Sequence, residues 1–461
     1  MDWMNHDYIN EILKNGENPT TEQIEDILSR AYKKESLSHL DTARLLNATD
    51  ESHIQRIYEI AGKIKDEIYG KRIVTFAPLY VSNKCVNNCT YCGYRRDNIF
   101  DRKKLSIEQV KDEALVLEKM GHKRIAFEMG EDPVNLPIDY VVDCLKAIYE
   151  ASDIRRINVN IAATDTESFT KLKEVGIGTY ILFQETYHRP TYERMHPKSL
   201  KGDYDYHLTA FDRAQKAGID DVGGGVLFGL SDYKFEILAL MLHNDHLEKE
   251  FGVGFHTISV PRLKKAEGME LNDYPHMVTD EEFKRIVTII RLSVPFTGII
   301  LSTRETQKIR EELIKCGVSQ ISAASNTGVG GYKEEEEALL NGTEKEVPQF
   351  ELSDERSVLE VMKSLVNDGY IPSFCTACYR SGRTGDRFMR LAKSGQIGNV
   401  CEPNALMTLM EYLMDYADVD LKTKGKKFIL NSAEDLKNPK IKEILLKNIE
   451  RIENGERDLF L

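Results

Sequence analysis

The chain lacks any apolar run near the roughly 20 residues needed to span a bilayer. Its opening residues, Met1-Asp2-Trp3-Met4-Asn5-His6-Asp7, also lack the basic-then-apolar order of a secretory signal. These two absences predict a cytoplasmic protein with no membrane partner. An excess of positive charge is missing as well: 62 Lys and Arg stand against 75 Asp and Glu, a net charge of −13. Nucleic-acid phosphates would be repelled, so no nucleic-acid partner is expected, although a local basic pocket stays open. Histidine does not occur after His276, and the chain has only eight cysteines. In a reducing compartment thiols stay reduced, so cysteines that cluster favour metal or redox chemistry over disulfides.

With 461 residues there is enough chain for a large core and more than one structural unit. Residues 1–70 read as helical, with a capping box at Thr20-x-x-Gln23 and an Ile stripe that ends at Gly70. Thereafter short β-branched runs begin near residues 72, 123, 155, 178, 221, 255, 298 and 318. Amphipathic stretches separate them, several opened by capping boxes such as Ser106-x-x-Gln109, Thr164-x-x-Glu167 and Thr279-x-x-Glu282. Strand–helix alternation of this regularity argues for parallel strands and crossover helices. The expected fold is an α/β (β/α)8 TIM-type barrel with an N-terminal helical extension and a mostly helical C-terminal one. An open doubly wound sheet is the rival. The expected units are residues 1–70, a barrel over 71–345, and a helical segment over 346–461. The acidic run Glu334-Glu335-Glu336-Glu337 reads as a solvated loop face.

The first strand runs directly into Cys85-Val86-Asn87-Asn88-Cys89-Thr90-Tyr91-Cys92. Three thiols at one tight spacing suit metal better than packing. Zinc is a rival, but a structural zinc needs four ligands, and the loop offers no histidine or fourth cysteine. Three thiolates on a four-iron cube leave one iron for a small molecule to chelate. A second trio follows in the tail: Cys375-Thr376-Ala377-Cys378, then Cys401 after 22 residues. A zinc ribbon is possible on spacing alone, with Asp386 or Glu402 as a less usual fourth ligand. Cys144 and Cys316 read as inert packing residues.

The Cys-x3-Cys-x2-Cys loop with Tyr91 before its last cysteine resembles the signature of the radical S-adenosylmethionine (SAM) superfamily. Met129-Gly130-Glu131, Gln184-Glu185-Thr186 and Gly225-Val226-Leu227-Phe228-Gly229 fall at or near the ends of the second, fourth and fifth strands, where that superfamily contacts SAM. The resemblance implies a [4Fe–4S] cluster on Cys85, Cys89 and Cys92, and SAM held by Tyr91, Gly130, Glu131, Glu185, Gly225, Leu227 and Gly229. It implies reductive cleavage of SAM to a 5′-deoxyadenosyl radical, with a ferredoxin or flavodoxin as electron donor.

The tail spacing, with Gly130-Glu131-Asp132-Pro133 and His256-Thr257-Ile258-Ser259-Val260-Pro261-Arg262, further resembles the tyrosine lyases of [FeFe]-hydrogenase maturation. That resemblance implies cleavage of L-tyrosine to p-cresol and dehydroglycine. The latter becomes carbon monoxide and cyanide at an auxiliary [4Fe–4S] cluster on Cys375, Cys378 and Cys401, which carries a fifth iron. It implies other hydrogenase maturases as product acceptors. His256 is the candidate ligand of the extra iron; the plain alternative is a core histidine satisfied within its strand. Ser302 and Arg304 are candidates for substrate, Arg304 by a bidentate clamp on a carboxylate, with a helix-capping arginine as the alternative. His256 precedes strand six while the Cys85 loop follows strand one, so the two clusters are expected at opposite ends of one internal channel. Two other functions stay open: a single-cluster tyrosine lyase with a structural zinc, and a non-catalytic iron–sulfur carrier.

Overall fold

The computed structural model describes residues 3–341 and 351–461, and the side chains of all of these but 339–341. The boundary expected at 345/346 therefore lies outside the described residues. Eight parallel strands run β1 (Arg72–Ser82), β2 (Arg124–Met129), β3 (Arg156–Asn160), β4 (Tyr180–Glu185), β5 (Val222–Val226), β6 (Thr257–Ser259), β7 (Gly298–Leu301) and β8 (Gln320–Ser322). Each pairs with its successor, and β8 pairs with β1 to close the barrel. Helices lie between consecutive strands, which is the (β/α)8 architecture that the alternation predicts.

Period two decides what each face of the wall carries. One set, including Ile125, Phe127, Ile157, Val159, Ile299 and Leu301, is fully buried under the helices. Each such side chain stabilises the barrel by about 1.5–3 kcal/mol. The alternate set faces inward and mixes small or polar residues, among them Ala126, Ser259, Gly298 and Ser322, with the larger Val74, Phe76, Phe183 and Ile300. Barrels of this kind ordinarily fill their interior with branched side chains. Here the small and polar positions in that set leave room for cavities inside the wall.

The long β1 has an open edge beside Arg72–Val74, because β2 pairs with it only from Ala77 onward. A ninth strand, β9 (Ile371–Ser373), takes that edge in parallel register. It delivers Cys375 to the end of the barrel where the strands start. Behind it, helix Gly398–Asp415 packs against helices Val419–Glu434 and Pro439–Glu453. The N-terminal extension is four helices; the last, Glu51–Tyr69, buries Ile57, Ile60, Ala61, Ile64 and Ile68 and packs on helix Asp280–Ser293.

Two local expectations are corrected. Glu334–Glu337 is helical, within Gly331–Asn341. Lys103 and Lys119, distant in sequence, pair with Glu334 at 3.0 Å and Glu336 at 2.5 Å and relieve the like-charge run. The capping boxes at Thr20, Ser106 and Thr279 form, but the one at Thr164 does not. Asp165 caps that helix instead, accepting from Ser168 N at 2.7 Å, because aspartate is at least as good a cap as threonine. Among the described residues no helix is long and apolar enough to cross a membrane.

Candidate functional site

The interior holds two stacked cavities, one at each end. The larger, about 240 Å3, opens at the ends of the strands and is lined by Cys85, Cys89 and Cys92 together with Tyr91, Gly130, Glu131, Glu185, Leu227, Ser302 and Arg304. The smaller, about 40 Å3, lies at the strand starts and is lined by Cys375, Cys378, Cys401 and His256. On four strands the linings are two residues apart: Val74 and Phe76, Arg124 and Ala126, Gly298 and Ile300, Gln320 and Ser322. Two residues of strand rise about 7 Å. The cysteine trios thus stand at opposite ends of the barrel interior, lining two cavities formed by adjacent layers of the same strands.

The upper trio sits on a loop laid across the end of β2. Val86 N donates to Glu131 O at 2.8 Å, and Gly130 N to Ser82 O at 3.0 Å. A Cβ built on Gly130 would stand 2.3 Å from Lys84 O and 3.1 Å from Cys85 Cβ, so only glycine lets the loop lie this close. On its other side the loop is tied to the segment after β4. Tyr91 Oη and His196 Nε2 are 2.7 Å apart, Asn88 N donates to Ser199 Oγ at 2.8 Å, and Lys201 N donates to Asn87 Oδ1 at 3.1 Å. Burial pushes the Cys89 thiol up.

Glu185 ends β4 with φ +66°, a left-handed conformation that side chains other than glycine seldom adopt. Its carboxylate pairs with Lys201 Nζ at 2.5 Å. Burial opposes charge on Lys201, yet Glu185 and the nearby Cys89 hold its ammonium above the ordinary range. In the Gly225–Gly229 segment, Leu227 lines the cavity, whereas a Cβ on Gly225 would meet the Phe183 ring at 2.4 Å. Gly229 has φ +119° and turns the chain against Leu263. Across the cavity, Glu128 accepts from Asn160 Nδ2 at 2.9 Å.

The lower trio joins two elements. Cys375 and Cys378 follow β9, and Cys401 is on helix Gly398–Asp415. Pairing with Cys401, helped by Arg383 and Arg72, lowers the Cys378 thiol, although burial opposes this. Arg124 Nη1 donates to Cys375 O at 2.7 Å. His256 packs edge-on against Phe388 at 4.6 Å between ring centres, with Nδ1 3.6 Å from Asp221 Oδ1. Burial lowers its pKa and favours the neutral, ligating imidazole.

Among the described residues no group of three His, Cys, Asp or Glu side chains stands where one metal ion could be held. The fit of the trios to clusters therefore rests on donor chemistry and surroundings. Thiolates suit iron–sulfur clusters. Around the lower trio, Arg72 Nε, Arg383 Nε, Asn404 Nδ2, Thr376 Oγ1, His256 Nδ1 and Asp221 Oδ2 are buried with no hydrogen-bond partner. Each such atom costs about 1–3 kcal/mol, and their gathering at one end suits a polar, charged guest.

Comparison with known proteins agrees with this arrangement. Residues 79–242 match the family model "Radical SAM superfamily", and residues 259–371 match "Biotin and Thiamin Synthesis associated domain". The chain is 30% identical to 2-iminoacetate synthase of Escherichia coli over 75% of its own length and 89% of that protein's. It is similar over the whole of both chains to the crystal structure of HydG, a maturase of the [FeFe]-hydrogenase, at 54% identity and TM-score 0.96. The chain belongs to the HydG family. HydG from Carboxydothermus hydrogenoformans matches at 41% identity and TM-score 0.83, over 96% of this chain and 97% of that one. As a radical SAM enzyme of the HydG family, the protein uses a [4Fe–4S] cluster and SAM.

Several residues of both ends escaped the sequence reading. Lys201 and Glu128 carry no motif, and only folding brings them into the upper cavity. Arg72, Arg124 and Asp221 stand at strand starts, where a charged residue opening an apolar run was a signal left unused.

Proposed function

We propose that the protein is a carbon–carbon lyase that cleaves L-tyrosine to p-cresol and dehydroglycine, the latter going on to carbon monoxide and cyanide at a second cluster. The product is an iron–carbonyl–cyanide unit handed to other hydrogenase maturases. The observation that carries this reading is the pair of cysteine trios at opposite ends of one hollow barrel. A single-step radical enzyme has no use for the second.

In this reading Cys85, Cys89 and Cys92 hold the SAM cluster within the barrel unit 71–345. Tyr91, Gly130, Glu131, Glu185, Gly225, Leu227 and Gly229 surround SAM, and a ferredoxin or flavodoxin delivers the electron. Bound there, the cluster and SAM supply a 5′-deoxyadenosyl radical. Ser302 and Arg304 hold the tyrosine carboxylate, Arg304 through its guanidinium fork. Cys375, Cys378 and Cys401 of segment 346–461 hold an auxiliary [4Fe–4S] cluster, and neutral His256 ligates a fifth iron. The barrel wall around both ends keeps small toxic fragments from bulk solvent on their way from the first site to the second.

Anaerobic reconstitution tests the whole. Iron well above four per chain, with p-cresol, carbon monoxide and cyanide from tyrosine, SAM and dithionite, is the expected result. Zinc in the tail with p-cresol but no carbon monoxide would replace the second cluster by a structural ion. No 5′-deoxyadenosine at all would reduce the protein to a carrier.

A further inference from the structure

The reading above takes the hydrogen atom from the amino group of tyrosine, and free amino acids carry that group as an ammonium at neutral pH. An ammonium has no lone pair to stabilise a nitrogen radical, so one proton must leave first. Within the cavity some group has to receive it.

Three carboxylates line the upper cavity: Glu128, Glu131 and Glu185. Glu185 is neutralised by Lys201, and Glu131 is held by Asn87 of the cysteine loop. Glu128 is differently situated. It lies opposite Tyr80 in the β1–β2 register, one carboxylate oxygen is held by Asn160 Nδ2, and the cation that bears on it is Arg304. A carboxylate and a guanidinium on the wall of one cavity match the two charges of an α-amino-acid head.

Resting on the tyrosine reading, we propose that Glu128 and Arg304 together bind the zwitterionic head of the substrate, with Glu128 as the base that takes the ammonium proton. One N–H bond of the ammonium breaks, its electron pair stays on nitrogen, and the proton goes to the Glu128 carboxylate. The neutral amine is then competent to give up a hydrogen atom.

The surroundings suit a base. Withdrawal from bulk water pushes Glu128 up to about 8, only partly offset by Asn160 and Arg304. A base near the working pH balances ionised fraction against proton affinity. The other titratable groups facing it are Tyr80 on β1, Tyr94 in the cysteine loop and Tyr332 on helix Gly331–Asn341. Burial pushes all three phenols upward, so they stay neutral and do not compete for the proton.

The test measures kcat and KM for p-cresol between pH 6.5 and 9.5 in wild type, Glu128→Gln and Glu128→Asp. SAM-bound cluster spectra verify that each variant is loaded. Glu128→Gln is expected to lose about a hundredfold in kcat at pH 7 and to recover as rising pH deprotonates the ammonium, with Glu128→Asp in between. A Glu128→Gln pH profile parallel to wild type, or equal losses in both variants at every pH, overturns the base. Absence of p-cresol from wild type itself would instead overturn the tyrosine reading.

Discussion

Lys201 Nζ lies 2.5 Å from Glu185 Oε1 at the rim of the upper cavity, joining the end of β4 to the segment whose backbone holds Asn87 of the cysteine loop. Both side chains are largely withdrawn from solvent, at 17% and 12% exposure. Removing one partner of such a pair leaves an uncompensated charge, which costs about 3–5 kcal/mol. Lys201→Met is therefore expected to lower stability by about that amount in denaturant unfolding. Adding Glu185→Gln should restore most of the loss without restoring SAM affinity. Equal stability of wild type and Lys201→Met would show that the pair contributes nothing net.

Arg102 gathers the loop from within. Its guanidinium donates to the carbonyls of Asn83 at 2.7 Å, Tyr94 at 2.8 Å, Arg95 at 2.6 Å and Asn98 at 3.2 Å, and it lies 4.0 Å over the Phe100 ring. These carbonyls flank all three cysteines, so one side chain fixes both ends of the ligand loop. Charged hydrogen bonds contribute about 1.5–3 kcal/mol each, and lysine cannot reproduce the fork. Arg102→Lys is expected to lower iron retention at Cys85, Cys89 and Cys92 during dilution while the lower trio keeps its metal. Equal iron loss rates for wild type and variant would refute it.

What could be read in advance was whatever is local or periodic. The cysteine loop is a spacing eight residues long, and strand–helix alternation repeats eight times, so both stand out in one dimension. Contacts made across the fold do not. β9 is three residues with Pro372 in the middle, too short to signal a strand, yet it brings Cys375 to the lower cavity. The 22 residues between Cys378 and Cys401 say nothing of the hydrogen bond that joins them. The acidic run was misjudged for the same reason, since Lys103 and Lys119 reach it from over two hundred residues away. Glu128 stands in a short strand with no motif around it. Its desolvation becomes visible only with the barrel closed around it.

Arg304 offers a separate test of the substrate end. If it grips a carboxylate through two parallel N–H bonds, lysine keeps the charge but loses the geometry. Arg304→Lys should raise KM for tyrosine about tenfold, a change of about 1.4 kcal/mol in binding, with iron content and SAM binding unaffected. An unchanged KM in steady-state p-cresol assays would remove Arg304 from the substrate site.

The strongest consequence of the two-ended design is that its halves should separate. Pairing with Cys401, together with Arg383 and Arg72, lowers the Cys378 thiol and so favours its ligating thiolate. Six residues of β1, about 20 Å of strand, part Val74 beside this pair from Tyr80 beside the upper trio. Cys378→Ser and Cys401→Ser should each cost about half of the bound iron and abolish carbon monoxide and cyanide. Release of p-cresol should continue at near wild-type rate, because the first cleavage needs nothing from the lower end. Cys89→Ser should do the reverse, ending p-cresol formation while the lower iron remains. Iron analysis, p-cresol chromatography and carbon monoxide trapping on the same samples decide the matter. If Cys401→Ser stopped p-cresol formation outright while leaving the upper cluster spectrum intact, the two ends would be one catalytic unit, and their separation in the barrel would need another explanation.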